Sequence, residues 1–117
     1  MKDNLYEELR TLIEQLKNSV KVLKNNGITL ANREREYKEL LRVETIRLKE
    51  QEGTPATLID KLVYGEPTVA EKREQRDIAE ATYKANLEGI NSVKLQIKVV
   101  EELINKDLGS KNKDEEN

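Results

Sequence analysis

The chain has 117 residues, with 21 Lys+Arg against 23 Asp+Glu and a formal net charge of −2. It contains no Cys and no His, which excludes disulfides, thiol nucleophiles, imidazole bases and ordinary zinc sites. Charged residues make up 38% and aromatics only 3%, all of them Tyr, so there is little material for a bulky interior; a pI near 5.4 offers no broad attraction for nucleic acid or an anionic membrane.

From the N-terminus, Leu5, Leu9, Leu12, Leu16, Val20, Leu23, Leu30, Tyr37, Leu41 and Leu48 recur at spacings of three, four or seven. That period predicts one long helix from about Asp3 to Gln51, with an apolar stripe of near-heptad repeat. Asn25-Asn26-Gly27 is its weak point, because Asn and Gly are poor helix formers. Leu23 and Leu30 keep the register across it, which favours a continuous or kinked helix over a turn. Gly53 then ends the helix, Thr54 is placed to cap the next one, and Pro55 suits a first helical position. A short helix over about Ala56–Val63 follows, with Leu58, Ile59, Leu62 and Val63 on one face, and Gly65 stops it.

Pro67 precedes Thr68-Val69-Ala70-Glu71, the pattern of a capping box. The last helix is predicted from about Val69 to Leu108. Its stripe is Ala79, Tyr83, Leu87, Ile90, Val93, Ile97, Val100 and Ile104, and Leu95, Val99 and Leu103 form a second apolar flank. Gly109-Ser110 closes it, and Lys111 to Asn117 reads as a mobile polar tail. Two long helices joined through a short one bury both stripes by running antiparallel. The expected fold is therefore all-α: a long antiparallel helical hairpin, coiled-coil-like, with a short connecting helix at the bend and a single domain over residues 1–110. The exposed stripes predict a homo-oligomer. No apolar run reaches the length of a signal-peptide core or a membrane span, so the expected location is the cytoplasm.

Six of the seven Arg lie between residues 33 and 76. Arg73 and Arg76 fall on or beside the inward stripe, with Glu44 and Arg47 at the equivalent level of the first helix. One reading is an interhelical ion-pair network of Glu44, Arg47, Arg73, Arg76 and Asp77, which sets register and partner choice. The other is an anion pocket. In it Arg73 and Arg76 hold phosphates, Arg47 and Lys61 support them, Tyr64 stacks on a base, and Thr54 and Thr57 add donors at the start of the short helix. Neither a phosphate loop nor a Glu-x-x-His metal motif is present, and the many paired carboxylates carry no information in so acidic a helix. No catalytic residue, metal ligand or cofactor is expected.

The stretch Gln51-Glu52-Gly53-Thr54-Pro55 through Leu62-Val63-Tyr64-Gly65, followed by Glu71-Lys72-Arg73-Glu74-Gln75-Arg76-Asp77 and on to Glu88, resembles a family of small helical proteins from the early regions of tailed phages and prophages of Gram-positive bacteria. No activity is carried over with that resemblance; it implies a host bacterial cytoplasm during infection, near replication, recombination or anti-defence genes. Three functions follow as expectations. The first is a non-enzymatic oligomer binding a cyclic nucleotide immune signal or a host defence protein. The second is a replication or recombination accessory that binds single-stranded DNA or a partner protein, which scarce aromatics and negative charge disfavour. The third is a structural coiled-coil adaptor.

Overall fold

A computed structural model describes the backbone of residues 2–116 and the side chains of residues 4–109. It contains three helices: α1 (Lys2–Glu50), α2 (Ala56–Val63) and α3 (Pro67–Glu116). There is no strand among the described residues. The chain is a helical hairpin, with α1 and α3 antiparallel and α2 in the bend between them.

The expected boundaries hold for α1 and α2 to within a residue. The helix runs unbroken through Asn25-Asn26-Gly27. At Gly27 the Tyr83 ring packs alongside, and a Cβ there would lie 3.5 Å from Tyr83 Cε2, an ordinary contact distance. After α1, Gly53 takes φ 64°, a left-handed conformation that glycine adopts without steric cost. The chain reverses over it, and the Thr54 N–H donates back to the Leu48 carbonyl at 3.0 Å.

Two caps differ from expectation. The N-cap of α2 is Pro55, with no side-chain cap bond, so Thr54 lies one residue too early to serve. The Pro55 carbonyl accepts the first bond instead, from the Leu58 N–H at 2.9 Å. Likewise α3 starts at Pro67 rather than Val69. The Glu66 carbonyl accepts from the Ala70 N–H at 2.9 Å, which puts Pro67 at the first helical position and Thr68 inside the first turn. At the far end α3 continues past Gly109-Ser110 to Glu116. A helical glycine costs about 1 kcal/mol relative to alanine but does not by itself end a helix. The side chains of the expected tail, 111–117, lie outside the described residues.

Packing divides the hairpin into two compact units. The first joins α1 up to Leu23 with α3 from Ala85 onward. Its core is Leu12, Val93, Val100 and Ile104, with Leu5, Leu9, Leu16, Ile97 and Leu108 packed against it. The Asn86 side-chain amide also donates to the Ser19 carbonyl at 3.3 Å.

The second unit is Lys24–Lys84 and contains the bend. Leu48, Val63 and Val69 are its most deeply buried residues, supported by Leu40 and Leu41. One apolar side chain from each helix thus meets at a single point. Truncating a buried leucine such as Leu48 to alanine costs on the order of 2–5 kcal/mol. The face of α2 divides: Ile59 and Val63 are buried, whereas Leu58 and Leu62 stay half exposed at 45% and 48%.

Candidate functional site

The polar residues around the bend come from three elements. Arg47 sits in the last turn of α1, Glu52 in the connector to α2, and Glu66 just ahead of α3. The Arg47 guanidinium reaches all of them. Its Nε donates to Glu44 Oε2 at 2.7 Å and its Nη1 to Glu52 Oε1 at 2.7 Å. Its Nη2 pairs with Glu66 Oε1 at 3.4 Å. Hydrogen bonds donated to Glu44 and then to Glu52 push the Arg47 pKa above its ordinary value, so the cation is permanent. The planar fork spends all three nitrogens on carboxylates. Arg47 is a clasp between the end of α1 and the start of α3, and the three carboxylates around it already balance its charge, which disfavours a phosphate there.

Arg76 belongs to a different cluster. Its Nε and Nη2 both donate to Asp77 Oδ1, at 3.1 and 2.8 Å. Its guanidinium carbon lies 4.5 Å from the centroid of the Tyr37 ring, the geometry of a cation–π contact. Tyr37 is buried at 5% exposure, which gives the charge a fixed platform. The hydrogen bonding to Asp77 raises the Arg76 pKa, more than burial lowers it.

A third polar group bridges the two long helices. The Arg33 Nη1 donates to both carboxylate oxygens of Glu36, at 3.0 and 2.9 Å. Lys72 Nζ on α3 approaches Glu36 Oε2 at 3.6 Å. The hydrogen bond from Arg33 is the main reason the Glu36 pKa falls below the ordinary 4.5.

These contacts redraw the expected site. The seam does not turn polar where α2 covers it; Leu48, Val63 and Val69 make that end apolar. The expected five-residue network separates into a Glu44–Arg47 group and an Arg76–Asp77 pair with no shared partner. Arg73 joins neither. It lies half-buried along a groove of about 500 Å³ with Glu74, Asp77 and Ile78. Of the remaining candidates, Lys61, Thr57 and Tyr64 are exposed on α2 and its C-cap, and Thr54 is half-buried in the connector.

Sequence reasoning missed Glu52 and Glu66 as partners of Arg47, and the Glu36–Lys72 bridge. The Arg47–Glu66 and Glu36–Lys72 pairs do not share one antiparallel register, so counting outward from the bend does not name both. Among the described residues no group of three or more acidic side chains is arranged to hold a metal ion, and no helix is long and apolar enough to cross a membrane. No protein-family model matches the chain, no curated protein is similar to it, and no solved structure matches it.

Proposed function

We propose that the chain is a non-enzymatic helical adaptor that works by joining helices, beginning with copies of itself. One observation carries this reading: large apolar side chains stand on the outside of both long helices in the first unit. Leu95, Val99 and Leu103 of α3 are 66%, 55% and 46% exposed, and Tyr6, Ile13 and Val20 repeat every seven residues along α1. Isolated exposed apolar residues are ordinary, but runs in helical register are the mark of a packing face. The polar side of the molecule supports the same reading, since Arg47 ties α1 to Glu52 and Glu66 across the bend and Arg76 is spent on the neighbouring Asp77. The resemblance of residues 51–88 to small phage proteins is consistent with an accessory role in a bacterial cytoplasm during infection. Sedimentation equilibrium tests the proposal. Self-association at micromolar concentration is the expected result, and a monomer at all accessible concentrations rejects it.

A second reading, an anionic nucleotide as ligand, rests on Arg73. It is the one guanidinium of the candidate set without a carboxylate partner among the described residues, and Tyr64 and Lys61 are exposed. Against it, the groove beside Arg73 also presents Glu74 and Asp77. Calorimetric titration with a panel of cyclic nucleotides decides the matter: heat that Arg73→Ala removes supports this reading, and no heat from any member dismisses it.

A further inference from the structure

The adaptor reading leaves open which face is used and what covers it. Among the described residues, the most exposed apolar run is Leu95, Val99 and Leu103 on α3. With about 3.6 residues per turn, these positions line one flank, turned well away from the Val93, Val100 and Ile104 side that packs on α1. A groove of about 310 Å³ runs beside them, with Glu8 of α1 on its far rim.

The run is self-complementary. Leu95 and Leu103 stand four residues to either side of Val99. A two-fold axis through Val99 therefore sets Leu95 against the partner's Leu103, Val99 against the partner's Val99, and Leu103 against the partner's Leu95. In an antiparallel helix pair related in this way, like flanks meet. Lys98 and Glu102 share one flank of the run, both are exposed, and neither is in an ion pair among the described residues. Under the same axis Lys98 comes level with the partner's Glu102, to within about 3 Å along the helix at ~1.5 Å per residue. Glu102 meets the partner's Lys98 by symmetry. Two reciprocal ion pairs thus flank one three-step apolar contact, an isologous arrangement in which one patch serves both subunits.

The geometry points to a second copy of this chain as the occupant of the Leu95–Val99–Leu103 face, docked antiparallel about a two-fold axis at Val99. This rests on the adaptor reading and deepens it by naming the face, the partner and the register.

Because the chain contains no cysteine, disulfide trapping has no background. Val99→Cys is expected to form a covalent dimer rapidly under mild oxidation, since both thiols lie at the axis. Glu101→Cys, exposed on another side of α3, is the control and should not. Leu95→Cys and Leu103→Cys should each cross-link poorly alone, because like positions sit about 12 Å apart along the axis. Mixed together they should cross-link readily. Separately, Lys98→Glu or Glu102→Lys should each weaken association by roughly threefold to tenfold, and the double exchange should restore it. All these positions are exposed, so circular dichroism should report unchanged helix content. Two results overturn the inference. One is Val99→Cys linking no faster than the control. The other is Leu95→Cys linking alone as fast as in the mixture, which would mean a parallel pairing. If either occurs while sedimentation still shows a dimer, the adaptor reading survives and only this face is wrong; a monomeric chain removes both.

Discussion

Glu36 gathers two cations from two helices, Arg33 on its own helix and Lys72 across the seam. Its folded pKa lies below the ordinary 4.5, chiefly because Arg33 donates to it. A carboxyl with a depressed folded pKa adds stability that is present above its unfolded value and is lost as pH falls through the folded one. Melting temperature should therefore drop as pH is taken from 7 to below 4, and Glu36→Gln should flatten that drop. Thermal melts of both proteins across this range check the sign; a Gln variant with an unchanged slope would assign the effect elsewhere. The group is open to water, so the slope should also shrink in high salt. Arg47 contributes no such slope, since a guanidinium raised above its ordinary pKa stays charged throughout. Its value is geometric: one side chain ties three backbone segments. Residue type and spacing along the helices were enough to place Glu44 with Arg47 and Asp77 with Arg76. Glu52 and Glu66 lie outside the long helices, and only the folded bend brings them to Arg47.

Among the elements, α1 shows how far periodicity carries. Its apolar stripe overrides a local sequence, Asn25-Asn26-Gly27, that would end an isolated helix. Packing of Tyr83 beside Gly27 explains the glycine without requiring it, because a Cβ there meets only ordinary contact distance. Gly27→Ala should accordingly stabilise the protein by about 0.5–1 kcal/mol, read as a shift in the urea midpoint. A destabilised variant would show that the Tyr83 ring has no room to yield. Gly53 is the opposite case, because its φ of 64° is hostile to any side chain. Caps were less legible than stripes. Thr54 and Thr68 have the right chemistry, but each prolyl residue settles where its helix starts, and Thr54 falls one residue before its N-cap and Thr68 two residues after its own. Mid-helix threonines are accommodated by bonding backwards, as when the Thr45 hydroxyl donates to the Leu41 carbonyl at 2.7 Å.

For the whole molecule, hydrophobic period and turn residues were sufficient to derive a three-helix hairpin, because each expected stripe found a partner stripe. Which surface residues matter was not legible in the same way. The second flank of α3 stands out in the sequence, but only its exposure in the structure separates Leu95, Val99 and Leu103 from a wider core. The division into two units, each with its own buried cluster, also depends on contacts that no pattern along the chain reveals.

The clasp at the bend has a consequence for how the chain assembles. Arg47 and Glu66 are 19 positions apart along the polymer, whereas Ser19 and Asn86 are 67 apart. Closing a short segment sacrifices less chain freedom than closing a long one, and it shortens every segment that closes afterwards. The meeting of Leu48, Val63 and Val69 is thus the natural first event, and the remaining pairs follow outward in order, as the teeth of a fastener follow its slider.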